Sequence, residues 1–144
     1  MKWPQKAGKG MDWNLRPTQM ALVSRTKLWG PGQHFGVLVI DWAGRAFVVD
    51  LQPDVGMRAV SVEDFRHGRA TVLHSTLTNP RGLTRAWRRL QGLSSRPGGF
   101  DLLRWNCEHF GRFVLWGTRE SRQVKGLTVT AAVVALVWLL GGLK

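Results

Sequence analysis

Residues 34–50 read HFGVLVIDWAGRAFVVD: two apolar runs, His34 to Ile40 and Ala46 onward, separated by a break at Ala43-Gly44. Short β-branched runs bounded by turn residues are the pattern of two strands joined in a hairpin. A register pairing Ile40 with Gly44 sets His34 directly opposite Asp50, so both side chains leave one face with Cβ atoms about 4.5–5.5 Å apart. A slip of one residue would turn Asp50 to the other face. An acid in that position fixes the tautomer of the imidazole and leaves its second ring nitrogen for another partner. Gly36, two residues along the same face, leaves room for a close neighbour.

On either side of the hairpin, Ala21 to Ser24, Arg58 to Val60 and Ala70 to His74 read as further strands, broken at Gly30-Pro31-Gly32 and Gln52-Pro53-Asp54. Ser61-Val62-Glu63-Asp64 has the form of a capping box that starts one helical turn. The period changes after Asn79, which caps a helix with Pro80 at its first position. Leu83, Ala86/Trp87, Leu90 and Leu93 recur on one face of it, and Arg81, Arg85, Arg88 and Arg89 on another, up to a stop near Gly92. Residues 94–99 form a loop. A second helix runs from the cap Asn106 through Phe110, Phe113 and Val114 to Gly117. Strands first and helices second predict an α+β fold, a small antiparallel sheet followed by helices. The expected limits are a flexible basic arm over 1–20, a folded domain over 21–118, a basic linker over 119–126 and an apolar segment over 127–143.

That last segment, LTVTAAVVALVWLLGGL, carries no charge. As a helix it rises about 25 Å, the short end of the transmembrane range. Arg112, Arg119, Arg122 and Lys125 precede it and only Lys144 follows, which orients the domain toward the cytoplasm. The expectation is a single-pass C-terminal transmembrane helix. A buried core helix is the competing reading. The first fifteen residues hold cations but no apolar run, so no signal peptide is expected.

The chain has 144 residues, room for one domain and a short appendage. Lys and Arg number 21 against nine acids, a net charge of +12, and fifteen of the cations are Arg. Such a surplus draws a protein to polyanions, either nucleic acid or an anionic membrane surface. No nucleic-acid motif is present, so the membrane is the expected partner. A single cysteine, Cys107, excludes an intrachain disulfide and a cysteine-based zinc site. No His, Cys or acid pair has ligand spacing, so neither metal nor cofactor is expected.

Cys107 follows the cap Asn106 and so opens a helix, where unpaired N–H groups and the dipole stabilise a thiolate. Core packing is the alternative for a lone cysteine. Among the histidines, His109 is rotated about 200° away along the helix. His67 lies in a polar loop, and His74 ends a strand. His34 remains, with Asp50 behind it.

The block Asn106-Cys107-Glu108-His109-Phe110 resembles the nucleophile motif of the lecithin retinol acyltransferase-like family, circularly permuted papain-like cysteine enzymes. Gln33-His34-Phe35-Gly36 is similar to that family's histidine strand, and Phe100-Asp101-Leu102-Leu103 to its approach to the nucleophile. The resemblance covers about residues 29–117 and implies a permuted papain-like fold. It implies Cys107 as nucleophile, His34 as general base and Asp50 at a third polar position often held by a second His. The Asp and a longer preceding turn depart from the pattern. Glu108 and His109 read as structural neighbours. The implied activity is a membrane-anchored thiol acyltransferase or phospholipase acting on phospholipid acyl esters through a thioester, the oxyanion held by the first N–H groups of the helix. The alternatives are a papain-like thiol peptidase or amidase, and a non-catalytic basic membrane adaptor using the arginine-rich helix.

Overall fold

The structure, a computed structural model, describes residues 14–30, 32–53, 55–94, 106–120 and 122–141. Strands β1 (Pro17–Thr26), β2 (Gln33–Asp41), β3 (Ala46–Gln52), β4 (Gly56–Ser61) and β5 (Val72–Leu77) form one sheet in the order β4-β3-β2-β1-β5. Every neighbouring pair is antiparallel. The helices are α1 (Val62–Arg66), α2 (Pro80–Ser94), α3 (Cys107–Trp116) and α4 (Arg122–Gly141). The α+β order of strands before the main helices stands as expected.

The central hairpin forms with a different register. Ile40 pairs with Ala46 and Gly36 with Asp50, two residues away from the Ile40–Gly44 pairing. Asp41 sets the difference. Its Oδ1 accepts from the N–H groups of Ala43 and Arg45, both at 2.9 Å, while its own N–H donates to Arg45 O at 3.0 Å. This side-chain-closed turn widens the loop to 42–45, with Gly44 at φ 75°. An even shift preserves the face, so Asp50 stays on the side of His34 but diagonal to it.

Both faces of the sheet are covered. Leu22, Val37, Phe47 and Val49 pack against Leu83, Ala86, Trp87 and Leu90 of α2 and Phe110 and Val114 of α3. On the other face Val23, Val48 and Val60 pack against Phe65 of α1. Burial on both sides explains why β2 and β3 read as continuous apolar runs rather than alternating ones. The short α1 carries the chain beneath the sheet from the edge strand β4 toward the opposite edge, β5. Ser61 Oγ accepts from Asp64 N at 3.0 Å to start it, as the capping-box reading predicts.

Two glycines permit the closest approaches. A Cβ on Gly111 would stand 2.5 Å from Leu22 Cδ1, so α3 lies directly on β1. A Cβ on Gly36 would stand 2.5 Å from Val48 Cγ1 and 3.0 Å from Phe65 Cε2. The close neighbour expected at Gly36 is therefore the α1 phenylalanine.

Two expectations at the ends are corrected. The sheet begins inside the segment taken for a flexible arm: β1 starts at Pro17, and Leu15 is already buried in the core. Trp3 and Trp13 lie outside the described residues. At the other end, the transmembrane helix is not supported, because no helix among the described residues is long and apolar enough to cross a membrane. α4 starts at Arg122, so Arg122 and Lys125, assigned to a linker, are helical. The orientation expected from the flanking charges rested on that anchor and loses its support with it. The buried-core alternative fails as well: Val129, Val133, Val134 and Leu136 are exposed.

Gly36→Val is expected to destabilise the fold by about 1–3 kcal/mol through overpacking against Val48 and Phe65. Urea unfolding at neutral pH measures the loss.

Candidate active site

Cys107 is the first residue of α3, and its position is set by the cap before it. Asn106 is extended (φ −100°, ψ 179°), and its Oδ1 accepts from the N–H groups of Glu108 and His109, both at 3.0 Å. His109 Nδ1 accepts from Asn106 N–H at 3.3 Å and closes the box. Glu108 is buried and accepts from Arg112 Nε at 3.1 Å and from Gln123 N–H at 3.0 Å. His109 thus helps cap α3, while Glu108 ties α3 to the start of α4. The cap also corrects the oxyanion expectation. The Glu108 and His109 N–H groups are bonded to Asn106 Oδ1, and Phe110 N–H to Asn106 O at 2.9 Å. The Cys107 N–H is the donor of this first turn that the cap leaves untied.

His34, at the start of β2, places Nε2 2.7 Å from Asp50 Oδ2. Asp50 is fully buried. It also accepts from Arg58, Nε to Oδ1 at 2.7 Å and Nη2 to Oδ2 at 3.0 Å, and from Gln52 Nε2 at 3.0 Å. An ionised carboxylate only accepts, so His34 Nε2 carries its hydrogen toward Asp50 and Nδ1 is left for the thiol. The ring of His34 rests on Phe65, centroids 5.6 Å apart.

The thiol completes the set. Cys107 and His34 line one cavity, and Cys107 Sγ lies 4.0 Å from Gln33 O. Burial opposes charge on the thiol. The neighbouring imidazole of His34, aided by the Phe35 N–H and Lys27, outweighs it and lowers the thiol pKa. Burial also opposes protonation of His34, yet its hydrogen bond to Asp50 and the neighbouring charges of Asp50 and Cys107 raise its pKa. Burial alone would lift Asp50, but hydrogen bonds and charge from His34 and Arg58 bring it down to about 2. All three directions favour a thiolate–imidazolium pair backed by a carboxylate.

The structure therefore brings together the three residues singled out from sequence. It leaves the other histidines elsewhere. His67 is exposed at the end of α1, and His74, in β5, bonds Ser24 Oγ at 2.7 Å. Among the described residues no His, Cys, Asp and Glu cluster is able to hold a metal. A cavity of about 360 Å³ opens beside the pair, walled by Arg25, Lys27, Trp29, Leu51, Gln52 and Pro53 among others. Sequence reasoning missed Arg58, Gln52 and Arg25. A signal existed for Arg58: a short β3–β4 hairpin at the Gln52-Pro53-Asp54 break sets it opposite Asp50, where the register places it. Gln33 was quoted without a role. Its N–H donates to Gln123 Oε1 at 3.2 Å and its carbonyl accepts from Gln123 Nε2 at 3.3 Å, which fastens the start of α4 to the histidine strand.

Two pH dependences follow. Cys107 is expected to react with iodoacetamide at pH values below the ordinary thiol range, the rate falling only as pH drops through its lowered pKa. His34→Ala should move that limb up toward the free-thiol value of about 8.5. Asp50, with a folded pKa of about 2 against an unfolded value of about 3.9, contributes stability above pH ~4 that is lost as pH falls toward 2, on the order of 2 kcal/mol. Acid titration of unfolding should be shallower over that window in Asp50→Asn. No protein-family model, curated protein or solved structure matches the chain.

Proposed function

We propose that the protein is a cysteine-dependent acyl-transfer enzyme acting on phospholipid acyl esters, by the chemistry of the lecithin retinol acyltransferase-like family that its NCEHF block resembles. The observation that carries the reading is that Cys107 and His34 line one cavity, with the buried Asp50 held 2.7 Å from the imidazole. A purely structural cysteine has no need of a charged base held by a carboxylate.

In the first step the Cys107 thiolate adds to the ester carbonyl carbon and the carbonyl π electrons move to oxygen. The Cys107 N–H is placed to donate to that oxyanion. The intermediate collapses, the C–O bond to the alcohol breaks, and His34 Nδ1 gives its proton to the departing oxygen. The product is a thioester on Sγ. Water, or an acceptor alcohol or amine, then attacks the thioester carbonyl, loses its proton to His34 and expels the thiolate. Asp50 keeps the imidazole in one orientation and stabilises its charge through both steps.

The basic surplus supports an anionic membrane surface as partner. Arg81, Arg85 and Arg88 are exposed on one face of α2, and a cation near an anionic leaflet contributes about 1 kcal/mol. Arg89 leaves that face, donating to the carbonyls of Val114 and Leu115 at the end of α3, both at 3.2 Å.

Incubation with mixed phospholipid vesicles followed by intact-protein mass spectrometry tests the proposal. Wild type should gain the mass of one acyl group, Cys107→Ser should gain none, and His34→Ala should acylate about 10²- to 10⁴-fold more slowly. No adduct and no lipid turnover with the wild type would sink it.

A further inference from the structure

We infer that Arg25 and Lys27 form a phosphate subsite in the Cys107 cavity, which selects acyl esters that carry a phosphate close to the ester. The substrate assignment rests on the acyl-transfer reading above, whereas the anion site itself does not.

Arg25 is 96% buried, since 4% of its surface is exposed. Its Nε donates to Phe65 O and its Nη1 to Thr26 O at 3.0 Å, while the guanidinium lies 5.4 Å from the Phe65 ring centre. These contacts hold the group but do not neutralise it. No carboxylate among the described residues is in salt-bridge contact with it, and Nη2 makes no hydrogen bond to any of them. Asp50, the nearest acid by its charge effect, is committed to His34 and Arg58. A buried cation normally requires a paired anion, because desolvation is otherwise uncompensated. No buried side-chain nitrogen or oxygen among the described residues lacks a partner, so the unpaired Nη2 is open to solvent. The space that Arg25 lines is the Cys107 cavity.

Lys27, two residues along, lines the same cavity, is only half-buried and bonds no acid among the described residues. A planar fork and an ammonium on one wall match the oxygens of a phosphate. In a glycerophospholipid the phosphate and the central acyl ester are borne on adjacent glycerol carbons, so a phosphate held on this wall brings an ester carbonyl toward Sγ. Trp29 stands 90% exposed on the rim of the same cavity. An indole there suits the boundary between headgroups and acyl chains.

The test has two arms. In the first, alkylation of Cys107 by iodoacetamide is followed with and without inorganic phosphate, chloride matching the ionic strength. Phosphate should slow the wild type and have a weaker effect on Arg25→Gln and Lys27→Gln. Lys27 is half-exposed, so its variant keeps the test decisive if Arg25→Gln fails to fold. Absence of any slowing in the wild type overturns the subsite, even if an acyl adduct forms. Slowing without an adduct leaves the subsite standing and sinks the acyl-transfer reading instead.

In the second arm, kcat/KM is measured for phosphatidylglycerol and for diacylglycerol in the same mixed micelles. The ratio should fall about 10- to 100-fold in either variant, the worth of a charge-assisted hydrogen bond. An equal loss on both lipids would make Arg25 an oxyanion donor and overturn the phosphate assignment. Protection by inorganic phosphate with no preference for the phospholipid would assign the site to free phosphate and overturn the lipid headgroup as its ligand.

Discussion

The buried carboxylate of Asp50 is the constraint around which the site is built. An ionised group without solvent is costly unless its lone pairs are filled and its charge is matched. Here four hydrogen bonds from three residues do both: one from His34 on β2, one from Gln52 on β3 and two from Arg58 on β4. The same bonds tie three adjacent strands in one register. Removing any donor leaves a buried anion short of a partner, so the hairpin geometry and the state of His34 are energetically one matter.

The two sheet faces contribute different halves of the site. Cys107 belongs to the core on the α2 and α3 side, seated by the Asn106 cap and the close passage of Gly111 over Leu22. His34 rests on Phe65, which belongs to the core on the α1 side. They meet where β2 begins, at Gln33, whose backbone also receives the start of α4. The smaller core beneath the sheet therefore does more than fill space. Its Phe65 ring meets both the imidazole of His34 and the guanidinium of Arg25.

The charge surplus divides by position. Arg58 neutralises Asp50, Arg112 pairs with Glu108, Arg45 with Asp41, and Arg89 covers the carbonyl end of α3. These cations are part of the architecture. Arg81, Arg85 and Arg88 face solvent, and Arg25 and Lys27 face the cavity. Net charge alone treats all of them as one attraction for polyanions, and the folded structure separates scaffold from surface.

Local chemistry made much of this legible from the residues alone. The cap at Asn106, the helix opening at Cys107, the hairpin around Ala43-Gly44 and the parity that puts His34 and Asp50 on one face are all properties of neighbouring residues, governed by backbone hydrogen bonding and a period of two. The exact partner of Asp50 depended on Asp41 closing a wider turn, a side-chain competition that strand patterning does not encode. The strands beyond the hairpin were found with shifted ends because Pro17 to Met20 lack an apolar run and gain their order only by pairing with β2 and β5. Hydrophobicity alone made residues 127–143 look like a membrane span, whereas no helix among the described residues is long and apolar enough to cross one, and α4 begins among the charges at Arg122. Arg25 and Gln52 have no signature in a linear reading, and Arg58 has one only once a β3–β4 hairpin is drawn. Their roles arise because burial and strand order bring them to one cavity, where the cost of an unpaired charge decides what each must touch.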